Sequence, residues 1–182
     1  MGAVMHGPRA NDQWENGVNI RLATATELDA LDAVIRSSDE LFRGTHLEWA
    51  LDEEISEAFR FNRALGEGTL WVAEVDGQLA GLVCAHATET SLYVDQLSVA
   101  KAFQGRGIGR ALMRHAIAHA RTAFPAISLI TDREIPWNAP FYASLGFVEW
   151  PEPDPGVQAD LDEEIADGFD PATRIVMIIE FG

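Results

Sequence analysis

The stretch Gln104-Gly105-Arg106-Gly107-Ile108-Gly109-Arg110 decides how this sequence is read. Before it, Ser91 to Val99 (SLYVDQLSV) has the pattern of a strand. After it, Gly107 to about Ala123 reads as a helix that Pro125 stops. Glycines between the two let the backbone turn tightly and leave N–H groups uncovered. The first turn of a helix has N–H groups without intrahelical partners, and the helix dipole adds positive potential. Strand, glycine loop and helix in that order make a cradle for a pyrophosphate. Arg106 and Arg110 can add charge-assisted bonds to its oxygens. Two nucleotide fingerprints fail here. Counting G-x-G-x-x-G from Gly105 puts Arg110 in the last place, and counting from Gly107 puts Leu112 there. No Gly-Lys-Ser/Thr triplet exists for a P-loop.

Working outward, Val18 to Ala23 (VNIRLA) reads as a strand. Thr24-Ala25-Thr26-Glu27 matches a capping box that opens a helix to about Arg36. Leu47, Leu51, Ile55, Ala58 and Phe59 recur at helical spacing and predict a second helix over 47–64. Its other face carries Glu48, Asp52, Glu53, Glu54 and Glu57, the pattern of a solvated face. Thr69–Val75, Asp76-Gly77 and Gln78–Ala85 predict a β-hairpin, because both central residues of a type I′ turn need positive φ. Ile127–Thr131 is a short strand, Ala139–Leu145 a short helix ended by Gly146, and Phe147–Trp150 and Arg174–Phe181 are two more strands. Leu161, Ile165 and Phe169 suggest a further helix near 159–168. The order β-α-α-β-β-β-α-β-α-β-β predicts a mixed α/β layer in one domain over 17–182, after a flexible polar lead-in at 1–16.

With these elements in place, the sequence resembles the GNAT superfamily of acyl-CoA-dependent N-acyltransferases. Gln104-x-x-Gly107-x-Gly109 fits that family's Q/R-x-x-G-x-G/A signature. One helix and one strand later, Asn138-Ala139-Pro140-Phe141-Tyr142, closing on Gly146-Phe147, looks like its second signature. The resemblance implies a mixed, mostly antiparallel sheet of six or seven strands, flanked by about four helices and splayed into a V-shaped slot for acetyl-CoA. It implies N-acetyl transfer to a primary amine by direct attack in a ternary complex, with no metal. A catalytically silent acyl-CoA-binding sensor or interaction module is the alternative.

Carried over, the resemblance gives the coenzyme A pyrophosphate to Gln104 and the backbone of Gly105, Arg106, Gly107, Ile108, Gly109 and Arg110. The pantetheine arm would lie along Leu97, Ser98 and Val99, with an N–H near Leu97 facing the thioester carbonyl. Asn138 would bond the pantetheine, although Asn also caps helices. Tyr142 would protonate the leaving thiolate; otherwise it is an ordinary packed tyrosine. Asp95 is the candidate base, since strict alternation would set it on the face of Leu97; a solvated strand acid is the plainer account. Glu74, Glu89 and Glu134 are weaker contenders. His115 and His119 have i, i+4 spacing without the H-E-x-x-H pattern, so they read as packing residues.

The charge balance narrows the partners. Thirteen Lys and Arg face 29 Asp and Glu, for a formal net charge of -16. Such a chain is a poor partner for nucleic acid or an anionic membrane. Yet Lys101, Arg106, Arg110, Arg114 and Arg121 share a segment, 101–121, that holds no acid. The acids gather in the second helix and in 149–170, which points to a cationic amine acceptor. One cysteine, Cys84, in an apolar strand reads as a core residue in a reducing, cytoplasmic setting. Dimers are common in the family, which makes a homodimer the expectation.

Overall fold

The computed structural model describes residues 17–52 and 58–182. Seven strands form one sheet: β1 (Val18–Leu22), β2 (Leu70–Val75), β3 (Gln78–Ala87), β4 (Leu92–Val99), β5 (Ala126–Asp132), β6 (Val148–Glu149) and β7 (Arg174–Glu180). Their spatial order is β1-β2-β3-β4-β5-β7-β6. Every adjacent pair is antiparallel except β4 and β5, which are parallel. The helices are α1 (Leu28–Asp39), α2 (Ala58–Glu67), α3 (Ile108–Ala123), α4 (Ala139–Ala143) and α5 (Pro155–Ala166). The seven-stranded, mostly antiparallel sheet with five α-helices among the described residues agrees with the expected fold.

Local chemistry explains the entries and turns. Asp76 and Gly77 have φ of 50° and 76°, which gives the β2–β3 turn the positive dihedrals a type I′ hairpin requires. Before α1, the Glu27 carboxylate accepts from the Thr24 N–H at 2.8 Å and the Thr24 hydroxyl at 2.9 Å. Hydrogen bonds from Arg21 pull that carboxyl down to about 2, and the same guanidinium reaches Glu74 on β2 at 2.8 Å. Helix α5 starts earlier than the spacing of its apolar residues suggests. Asp154 caps it by accepting from Gly156 N–H at 2.8 Å and Val157 N–H at 3.0 Å, and Pro155 follows in the first turn.

The region expected as one helix over 47–64 is divided. Glu48–Asp52 is a 3-10 segment, residues 53–57 lie outside the described residues, and α2 occupies Ala58–Glu67. The polar lead-in at 1–16 also lies outside them.

Packing separates the two sheet faces. One buries Ala85, Leu92, Val94, Ile127 and Leu129 against Ile108, Leu112, Ala116 and Ala120 of α3, with Leu97, Val99, Phe141 and Tyr142 at its margin. The other face buries Leu70, Val72, Leu82 and Cys84 against Leu31, Val34 and Ile35 of α1 and Phe61 and Ala64 of α2. On that side α5 adds Val157 over Tyr93 and Val176. Cys84 is fully buried, as an apolar strand position implies.

Close packing is sharpest at Gly81 on β3. A Cβ there would lie 2.7 Å from the Ser98 carbonyl oxygen and 3.1 Å from Leu112 Cδ1. Gly81→Ala is expected to cost about 1–3 kcal/mol through overpacking. A lower urea midpoint at unchanged slope would register it; an unchanged midpoint would show that β3 and β4 separate freely.

Candidate active site

The site begins where β4 and β5 part. Their parallel pairing covers Leu92↔Ile127, Tyr93↔Ser128 and Val94↔Leu129, while β4 stays paired to β3 as far as Val99. Residues 95–99 therefore have a strand on one edge only. A register shift between Cys84 and Ala85 places Cys84 opposite Gln96 and Ala85 opposite Val94, so Asp95 is the extra residue of a β-bulge at the fork.

The open edge can be assigned to particular N–H groups. The Ala100 N–H donates back to β3, to the Ala80 carbonyl at 2.9 Å. The Val99 N–H points the opposite way, to the Ser38 hydroxyl at 3.3 Å. Strand geometry alternates these directions with period two. The Leu97 N–H consequently faces the open edge with that of Val99, into the space between the diverging strands. Ser98 is buried, and its hydroxyl accepts from the Gln96 amide at 2.8 Å.

At the end of this edge stands the N-terminus of α3. Gly107, at φ 80°, is its N-cap, and the first helical bond runs from the Ala111 N–H to the Gly107 carbonyl at 3.0 Å. The amides of Ile108, Gly109 and Arg110 thus precede any intrahelical acceptor. Gly105, at φ 75°, makes the preceding turn. A Cβ built on Gly109 would contact Val99 Cγ2 at 3.6 Å, Phe141 Cζ at 3.9 Å and Leu97 Cδ2 at 4.0 Å, so strand, helix and α4 converge there.

The surrounding side chains have distinct tasks. The Gln104 amide donates inward to the Val99 carbonyl at 3.0 Å, which pins the loop to the strand end. The Arg106 guanidinium lies over Phe103, and that of Arg110 lies over Phe141. Arg110 also donates to the Ser144 hydroxyl at 2.7 Å, tying α3 to α4. His115 and His119 set their rings edge-on against buried Trp71, and burial lowers the His119 pKa. They are packing partners of that ring.

Helix α4 carries the second group of expected residues. Asn138 is its N-cap by backbone, accepting from the Tyr142 N–H at 3.1 Å, but its side chain makes no capping bond. The amide group is therefore available for another use. The Tyr142 ring is edge-on to Phe141 and Phe147. Burial pushes its phenol up to about 12, so it keeps its proton at neutral pH and can act as a donor.

Asp95 departs from the face expected for it. The bulge breaks the alternation: Leu97 packs toward α3, while Asp95 bonds His86 on the side covered by α5. Asp95 Oδ2 lies 2.7 Å from His86 Nδ1, and these side chains are 8% and 12% exposed. The imidazole also lies against the Tyr93 ring at 5.2 Å. Burial raises the pKa of Asp160 on α5, helped by the charges of Asp95 and Glu163 and opposed by His86. Glu164 is raised by burial as well, against its pairing with Arg174. Glu74, one of the weaker base contenders, is occupied by Arg21.

A second Asp–His pair was not foreseen from the sequence. Asp132, at the end of β5, is fully buried. It accepts from His46 Nε2 at 2.9 Å, Thr173 Oγ1 at 2.8 Å, and the N–H groups of Glu134 and Ile135 at 2.8 and 3.1 Å. His86 was missed too, because an isolated histidine in an apolar strand carries no local signal. An Asp nine residues later on the paired strand was the only available hint.

The site is thus a sheet that splits between two parallel strands, with a helix N-terminus at its mouth. Residues 66–149 match the family model described as Acetyltransferase (GNAT) domain. It is similar to N-acetylaspartate synthetase of Rattus norvegicus, 31% identical over 105 residues, which cover 56% of this chain and 35% of the relative. The chain thus matches about a third of that relative's length. In fold it is similar to PaiA N-acetyltransferase from Thermoplasma acidophilum in complex with coenzyme A, with a TM-score of 0.68, 16% identity, and coverage of 90% of this chain and 99% of the other. It is also similar to N-acetylglutamate synthase from Neisseria gonorrhoeae complexed with coenzyme A and N-acetyl-glutamate, with a TM-score of 0.66, 17% identity, and coverage of 93% and 36%. Among the described residues, no helix is long and apolar enough to cross a membrane.

Proposed function

We propose that this protein transfers the acetyl group of acetyl-CoA to a primary amine by direct attack in a ternary complex. The observation that carries this reading is the Leu97 N–H, directed into the fork beside the uncovered amides of Ile108, Gly109 and Arg110. A thioester carbonyl meets a donor at the first place, and a pyrophosphate meets helix-terminal amides at the second. Gln104, Gly105, Arg106 and Gly107 shape the phosphate loop; Leu97, Ser98 and Val99 line the pantetheine; Asn138 offers its amide to it.

The chemistry balances as ammonium plus acetyl-CoA giving amide, free coenzyme A thiol and a proton. The ammonium loses one proton to the Asp95–His86 pair. Its nitrogen then forms the C–N bond, and charge collects on the carbonyl oxygen near the Leu97 N–H. The C–S bond breaks, and Tyr142 gives its proton to the thiolate, recovering one from the new amide nitrogen through solvent.

The acceptor is cationic on this reading. Asp95 lies at the fork, and Asp160 on α5 feels its charge and that of Glu163, with Arg60 opposing them and Glu164 paired to Arg174. The two acidic amino-acid products in the names of similar proteins would not suit that balance. Cys84, buried and reduced, is in keeping with the cytoplasm as its setting.

The test is thiol release from acetyl-CoA with a panel of diamines, basic amino acids and acidic amino acids. Faster turnover of the cationic amines, declining with salt, is expected. Faster turnover of aspartate or glutamate would overturn the acceptor assignment. Thermal stabilisation by acetyl-CoA with no turnover on any amine would favour the silent binding module.

Gly107→Ala provides a separate check on the phosphate loop. Its Cβ would meet open space in the protein, so the penalty is the left-handed φ of 80°. About 1–2 kcal/mol of strain is expected, read as weaker acetyl-CoA binding by calorimetry. Unchanged affinity would place the phosphates elsewhere.

A further inference from the structure

We infer that the proton-accepting group for the acceptor amine is the His86 imidazole, with Asp95 as its positioning residue. This rests on the acetyltransferase reading above and assigns a role to a residue outside both family signatures. The carboxylate that the strand pattern singles out is already engaged: its Oδ2 lies 2.7 Å from His86 Nδ1. Such a bond fixes which nitrogen holds the proton. With Nδ1–H donated to the carboxylate, Nε2 is left as the free base. The Tyr93 ring, 5.2 Å away by centroids, fixes the imidazole plane.

Placement follows from the bulge. Asp95 is the first residue of β4 beyond its pairing with β5, so the pair sits at the apex of the fork. Tyr142 and Leu97 belong to the α3 side, whereas His86 and Asp95 belong to the α5 side. Donor and acceptor of protons thus flank the fork from opposite faces, which suits an amine arriving on one side and a thiolate leaving on the other. The groups facing the imidazole are Asp95 and Tyr93 on β4, Asp160 on α5 and Glu67 on α2, with Arg60 of α2 beyond them. Carboxylates outnumber cations among these groups.

The step is a proton transfer: the ammonium N–H bond breaks, the lone pair stays on nitrogen, and the proton goes to His86 Nε2 and then to solvent. A base matters only when the acceptor arrives protonated. That separates a chemical role from a structural one.

The experiment compares wild type, His86→Gln and Asp95→Asn as full chains, with a cationic alkylamine and with a hydrazide that is neutral at pH 7. Acetyl-CoA binding is followed by calorimetry. His86→Gln should reduce kcat/KM for the alkylamine roughly 100-fold, reduce it far less for the hydrazide, and leave acetyl-CoA affinity unchanged. The acid limb of the alkylamine pH profile should vanish. In Asp95→Asn that limb should move to lower pH, because the imidazolium loses an anionic neighbour. Equal losses for both acceptors, or a pH profile in His86→Gln that matches wild type, would overturn the assignment. If His86→Gln does not fold, the displaced limb in Asp95→Asn decides alone, and an unmoved limb is then the negative result. Failure of the wild type to bind acetyl-CoA would sink the acetyltransferase reading itself, and this assignment with it.

Discussion

Asp132→Ala is expected to destabilise the protein by about 3–5 kcal/mol, because it leaves the buried donors of Thr173 and Ile135, and two part-buried ones, without an acceptor. The carboxylate has no solvent exposure and takes four hydrogen bonds, from His46, Thr173, Glu134 and Ile135. Two of them hold the turn that leaves β5, one holds the segment entering β7, and one holds the loop after α1. Removing the acceptor loosens all three at the end of the sheet where β4 and β5 diverge. Urea denaturation should show a lower midpoint, and the amine KM should rise while acetyl-CoA affinity stays. The pH dependence has a definite sign. Burial alone would raise this carboxyl, but the hydrogen bonds from His46, Thr173 and the two amides outweigh it and hold the folded pKa below the ordinary Asp value. The unfolded chain therefore binds the proton first as acid is added. The stabilisation is complete above the ordinary Asp pKa and is lost as the pH falls through the lower, folded one. Asp132→Ala should flatten that part of the stability profile. A midpoint within experimental error of wild type would mean the four bonds merely replace equally good bonds to water.

The sequence was most legible where local rules and the fold agree. Asp76-Gly77 announced a hairpin because positive φ is needed at both positions and few residue pairs accept it. Gln104 to Arg110 announced a strand-to-helix turn with bare amides because glycines at such a junction leave N–H groups uncovered. Asp95 was legible as a residue of interest but not as to where it points. Period-two alternation sends it toward Leu97, and one extra residue in the strand reverses that, a change set by the pairing with β3 rather than by β4 itself. His86 and His46 were invisible for a related reason. Each acquires meaning from a carboxylate on a strand, His86 from the neighbouring β4 and His46, in a loop, from the remote end of β5, and no spacing rule links His46 to Asp132. The start of α5 is less legible for a different cause: the apolar spacing begins at Leu161, whereas the helix entry lies earlier, at Asp154-Pro155.

Tyr142→Phe is expected to lower kcat about 100- to 1000-fold, while acetyl-CoA affinity stays within a factor of about two of wild type. The substitution removes one oxygen and keeps the ring, so the edge-on contacts with Phe141 and Phe147 persist and α4 should remain in place. The phenol keeps its proton across the working range, since burial holds its pKa at about 12. It cannot serve as the base at neutral pH, and its remaining chemical use is to donate. Its position favours the thiolate. Phe141, its neighbour on α4, lies at the same small patch beside Gly109 as Leu97 and Val99, the strand residues proposed above to line the pantetheine. The choice of acyl donor gives the sharper test. An acetyl thioester of an acidic thiol, whose thiolate leaves without protonation, should lose little rate in Tyr142→Phe, whereas acetyl-CoA should lose the full amount. An equal loss with both donors would assign Tyr142 to positioning, and no loss with either would leave the thiolate to be protonated by water.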